Sequence, residues 1–91
     1  MKQRTLRVRL FAQIQELAGS EFIEICGESE SITPQEVKQK VSVAINADQS
    51  LLTLLDRSMV TIDNQYVMDM AEAIPMREGI EIAILPPLPG N

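Results

Sequence analysis

The side chains that most often carry covalent chemistry are nearly missing from this chain. It has no histidine and a single cysteine, Cys26. Losing histidine removes the commonest general base, together with serine–histidine and cysteine–histidine nucleophile pairs. One cysteine forms no disulfide within the chain and makes no zinc site. Its neighbours Glu24 and Glu28 are acidic, the opposite of what stabilises a thiolate, so Cys26 reads as a semi-buried small hydrophobe. Glu28, Glu30, Asp48, Asp63 and Asp69 lack calcium-loop spacing and read as solvated loop charges. No metal site and no bound cofactor is expected. What is left is the chain end, which reads ILPPLPGN. Pro86, Pro87 and Pro89 fix φ and hold their predecessors extended. Residues 86–91 therefore form a stiff tail with a reach of about 20 Å. Gly90 carries no Cβ, so a groove can close around its backbone. Such a tail, running through Leu88 and Pro89 to Gly90 and Asn91, loses little entropy when it inserts into a groove.

A tail of this kind needs a domain to hold it. Residues 1–85 provide one, and 91 residues leave no room for a second. The chain is 45% hydrophobic but only 3% aromatic, so the core must be aliphatic. Net charge is −5, which argues against a nucleic-acid partner. With no signal peptide and no long apolar run, a cytoplasmic location is expected. Residues 5–11 alternate strictly, with Leu6, Val8 and Leu10 on one face of a strand. A short helix over 12–17, stopped by Gly19, and a strand over 21–26 follow. Thr33, Pro34 and Glu36 spell a capping box. The helix it opens places Val37, Val41, Ala44 and Ile45 on one stripe. Residues 51–55 suggest a brief helix, 59–63 a strand, 66–68 a short return strand and 80–85 the last strand. Loops are expected at 27–31 and 75–79. One long helix over a mixed sheet makes an α+β two-layer domain. Arg7 and Arg9 complement Glu81, which places the first and last strands side by side in the centre.

On the sheet face away from the helix, Arg7, Arg9, Thr61 and Glu81 suit water. Phe11 and Leu85 share their parity yet are apolar, and Met59 joins them. An apolar patch rimmed by charge marks a partner surface beside the root of the tail.

The stretch VRLFAQIQELAG (residues 8–19) and the ending VTIDNQYVMDMAEAIPMREGIEIAILPPLPGN (residues 60–91) resemble the small subunit of molybdopterin synthase, MoaD. That family groups with the sulfur carrier ThiS among ubiquitin-like β-grasp proteins. The two stretches cover roughly half the chain. The resemblance implies a β-grasp fold, with a mixed sheet and one main helix packed on one face. It also implies a sulfur carrier that is not itself catalytic. An adenylating enzyme of the ubiquitin-activating type uses ATP to activate the terminal carboxylate, sulfur replaces an oxygen, and the thiocarboxylate enters the large synthase subunit for molybdenum cofactor biosynthesis. Pro86, Pro87 and Gly90 match the family pattern PP-x-x-Gly-Gly, but Asn91 stands where the reactive glycine belongs. Three readings of Asn91 are open: a matching activating enzyme, a mature end that differs (Gly90 if processed), or a docking module with an inert tail. A ThiS-like role in thiamine biosynthesis is the other branch; the paired prolines favour molybdopterin.

Overall fold

The computed structural model describes residues 4–27, 29–77 and 79–87. β1 (Arg4–Leu10) shows the expected alternation, burying Leu6, Val8 and Leu10 and exposing Thr5, Arg7 and Arg9. Phe11 stays extended as the N-cap of α1 (Ala12–Ala18). Gly19 closes that helix at φ 74, its N–H donating to the Gln15 carbonyl. A Cβ is unfavourable in that left-handed conformation, which is why glycine ends the turn. β2 (Phe22–Gly27) then returns antiparallel along β1, with Arg9 opposite Phe22 and Thr5 opposite Cys26.

β3 (Ser31–Ile32) leads into α2 (Pro34–Ala44), which starts at the expected capping box. The Glu36 N–H donates to Thr33 Oγ1 at 3.2 Å, and the Thr33 N–H donates to Glu36 Oε1 at 3.0 Å. α3 (Gln49–Asp56) is capped by Asp48, whose Oδ1 accepts from the Leu51 N–H at 2.9 Å. It is longer than its apolar stretch alone suggests, because the cap lies upstream of that stretch. β4 (Met59–Ile62) and β5 (Gln65–Val67) form a hairpin through Asp63 and Asn64, at φ 50 and 68. Two successive left-handed residues make the tight turn whose twist matches paired strands. β6 (Ile74–Pro75) precedes β7 (Ile82–Leu85), the final strand.

The main sheet runs β2-β1-β7-β4-β5, with β1 and β7 parallel at its centre. Val8 pairs with Ile82 and Leu10 with Ile84, all four fully or almost fully buried. α2 lays Val37 and Val41 into the same cluster, and α3 adds Leu51 and Leu55. Burying each such side chain contributes about 1.5–3 kcal/mol. Lys38 ties the two helices together, its Nζ donating to the Asp56 carbonyl at 3.2 Å. Burial holds the Lys38 pKa below the usual lysine value, and the Asp56 carboxylate offsets part of that.

The two expected loops meet at their edges. Ser31 and Ile32 pair with Pro75 and Ile74 as a second, two-stranded sheet that buries both isoleucines. A two-residue strand has too few residues to show a period, so nothing local announces it. The last strand begins at Ile82 rather than at residue 80, although Ile80 is still buried. Thr33→Ala should remove one half of the capping box and cost about 1 kcal/mol, read as a lower urea midpoint with an unchanged slope.

Candidate functional site: the outer sheet face and the root of the tail

The alternation that fills the core also builds the opposite face. Leu85 ends β7 and pairs in register with Met59 on β4, while Phe11 follows the Leu10–Ile84 pair. The three apolar residues expected at the interface thus gather at one end of the sheet. Phe11 and Leu85 are half-buried, and Met59 is 39% exposed. Pro86 and Pro87 leave the sheet from the same end, both half-buried. Leu88, Pro89, Gly90 and Asn91 lie outside the described residues.

From that patch a concavity of about 620 Å³ runs along the outer face. Ala83 and Thr61 lie on it in register with one another. Thr61 was expected to face water, but it is only 7% exposed. It sits on an interior strand between Ala83 on β7 and Tyr66 on β5, and those neighbours cover it. Tyr66, Phe22 and Arg77 also border the concavity. None of these three is marked by a local sequence pattern. Phe22 had one usable signal, its place on the edge strand opposite an arginine.

The expected charge pairing is also different. Arg9 Nη2 lies 3.5 Å from Glu21 Oε1, with both side chains about half exposed (51% and 53%). Arg7 stacks its guanidinium 4.1 Å from the centre of the Phe22 ring. Arg9 lies 4.9 Å from the Phe11 ring centre and 5.6 Å from that of Phe22. Among the described residues, neither arginine forms an ion pair with Glu81. The flat guanidinium gains more from the aromatic face than from an exposed carboxylate across the strand. At the far end Asp63 organises the turn: Oδ2 accepts from Arg77 Nη2 at 2.9 Å and Oδ1 from the Glu81 N–H at 3.0 Å. Cys26 is exposed rather than semi-buried, because its register partner Thr5 lies on the outer face. Its sulfur sits 3.7 Å from Thr5 Oγ1. Among the described residues, no group of three or more His, Cys, Asp or Glu side chains could hold a metal ion. Nor is any helix there long and apolar enough to cross a membrane.

These features define a β-grasp domain that carries a proline-stiffened terminus beside an apolar patch. The sequence pattern of the ThiS family matches residues 8–90, and the chain belongs to that family. A molybdopterin synthase sulfur carrier subunit from Anopheles gambiae is 30% identical, the match covering 96% of this chain and 94% of that one. The fold is shared with SAMP1 from Haloferax volcanii (TM-score 0.73, 22% identity, covering 96% of this chain and 99% of that one). It is also shared with a chain in the complex of subunits 1 and 2 of the molybdopterin-converting factor from Helicobacter pylori 26695 (TM-score 0.59, 18% identity, covering 96% and 99%).

Asp63→Ala should cost about 1–2 kcal/mol in urea unfolding, from one hydrogen bond to a backbone N–H and one exposed ion pair. Asp63→Asn keeps an acceptor for the Glu81 N–H and should lose less.

Proposed function

We propose that this protein is the sulfur carrier subunit of a molybdopterin synthase. The observation that carries the reading is the placement of the tail root. In a ThiS-family chain, Pro86 and Pro87 leave the sheet beside Phe11, Met59 and Leu85. The curated relative named above carries the same role in its name.

The chain acts by presenting its end. The terminal carboxylate attacks the α-phosphorus of ATP in an adenylating enzyme of the ubiquitin-activating type, and pyrophosphate leaves. A sulfur nucleophile then displaces AMP and leaves a thiocarboxylate. Phe11, Met59 and Leu85 dock the domain on the large synthase subunit. The stiff segment from Pro86 through Leu88 and Pro89 to Gly90 threads the end into that subunit's site. No group of this chain need gain or lose a proton elsewhere, which fits the absence of histidine. Asn91 favours a second reading, a docking module of the same family whose tail is inert, because its Cβ and carboxamide crowd a channel shaped for glycine.

Intact mass of the chain from its native cells, with and without the activating enzyme, separates the two readings. The carrier reading expects the mass increase of one sulfur replacing one oxygen, on a chain ending at Asn91 or at Gly90. An unmodified chain that keeps Asn91 despite a working activating enzyme overturns it in favour of the docking module. Asn91→Gly should raise acceptance by the activating enzyme wherever glycine is the missing feature. Phe11→Glu and Leu85→Glu should each weaken binding to the large subunit by about tenfold or more; unaltered binding would remove the patch from the interface.

A further inference from the structure

Among the described residues, β2 is paired on one side alone, by β1. The Leu10 N–H donates to the Glu21 carbonyl at 2.8 Å, which fixes the alternation along β2. In that register Ile23, Ile25 and Gly27 exchange hydrogen bonds with β1, while the N–H and C=O groups of Phe22, Glu24 and Cys26 face away from it. We propose that this edge pairs with the same edge of a second copy, β2 against β2, as a reversible dimer. β1 lies between β2 and the strand that carries the tail, so the dimer stands or falls independently of the functional reading.

β2 lacks the usual protections of an edge. Proteins blunt such strands with proline, lysine, a bulge or short length. Phe22–Gly27 runs six residues in unbroken register with β1 and contains neither proline nor lysine. The opposite edge, β5, is only three residues long. Beside β2 lies a hollow of about 380 Å³ lined by Ile25, Cys26, Lys40, Val43 and Ala44. Val43 on α2 is 80% exposed, an apolar side chain in water next to that strand edge.

Register selects a second copy as the occupant. Two identical strands pair antiparallel about a two-fold axis, each offering the other the same groups. An axis at Glu24 sets two carboxylates face to face, which is destabilising. One at Ile23 needs the Phe22 carbonyl, which already accepts from Ser20 Oγ at 2.7 Å. One at Cys26 runs past Gly27, where the strand ends. An axis at Ile25 avoids all of these: Glu24 and Cys26 of each copy exchange backbone hydrogen bonds with Cys26 and Glu24 of the other. The half-buried Ile23 then comes opposite Gly27, which has no side chain to obstruct it. The axis stands perpendicular to the sheet, so α2 of both copies lies on one side and Val43 borders the joint from each. The strands of the two copies run in opposite directions, so the two tails, each following β7, leave at opposite ends. Pairing over so few residues buries at most about 1,200 Å², the class of weak, reversible contacts.

Sedimentation equilibrium of the full chain under reducing conditions reads its mass against concentration. The chain should be monomeric at about 10 µM and mostly dimeric near about 1 mM. Amide NMR shifts over the same range should concentrate at residues 23–27 and at Val43. Val43→Glu sets a charge at the joint, and Cys26→Pro removes an N–H that faces away from β1; each should weaken association at least about tenfold. Val43 is exposed, and each variant's amide spectrum reports its fold, so Val43→Glu alone carries the comparison if Cys26→Pro fails to fold. Glu24→Cys tests the register, because position 24 of one copy then faces Cys26 of the other. Oxidation with diamide should link 24 to 26 between differently isotope-labelled chains in preference to 26 with 26. A monomer at about 1 mM, concentration-dependent shifts confined to other surfaces, association untouched by Val43→Glu, or preferred linkage of 26 with 26 would overturn the proposal.

Discussion

The parallel pairing of β1 with β7 is the constraint on which the rest of this structure depends. A parallel pair cannot be closed by a tight turn, so the whole chain from Phe11 to Glu81 serves as the connection between two adjacent strands. That connection must cross one face of the sheet, and α2 and α3 do so while supplying Val37, Val41, Leu51 and Leu55 to the core. Because both chain ends meet in the middle of the sheet, the last strand is held on both sides, by β1 and by β4. Pro86 and Pro87 therefore start from one of the best-anchored positions in the molecule. A fixed root lowers the entropy that any segment attached to it loses on binding.

The same pairing gives the two faces of the sheet different tasks. Toward the helices, Leu6, Val8, Leu10, Ile82 and Ile84 make a dry aliphatic layer. On the other side the register lines up Arg9 with Phe22 and Met59 with Leu85. Aromatic residues are rare in this chain, yet Phe11, Phe22 and Tyr66 all border the outer concavity. The core does without aromatics. Phe11 and Phe22 lie where their flat faces hold Arg7 and Arg9, and Tyr66 lines the same concavity.

A carrier of this design needs little chemistry of its own. Under the proposed function its reactive group is a carboxylate that every protein possesses, so selectivity would come from how that carboxylate is presented and which surfaces recognise the domain. The proposed function assigns activation and the acceptor site to partners, and the chain's membership of the ThiS family is what supports it. Asn91 is the one residue that strains this picture, because its side chain sits beside the carboxylate where the family pattern has none.

The sequence by itself determined the elements whose signals are local. Strict alternation announced β1, the Thr33–Glu36 capping box announced α2, and Gly19 marked the end of α1, each through interactions spanning a few residues. The central pairing of the first and last strands was also anticipated, although the charge pairing with Glu81 invoked for it does not form among the described residues. Only the tertiary structure decided what depends on register between distant strands. It joined Ser31–Ile32 to Ile74–Pro75, covered Thr61 between Ala83 and Tyr66, and turned Cys26 outward. It also stacked Arg7 on Phe22 instead of pairing it with Glu81. Side-chain direction alternates with every residue of a strand, so a shift of one position exchanges the two faces. Such a choice is settled by how all the strands pack together, not by any one of them alone.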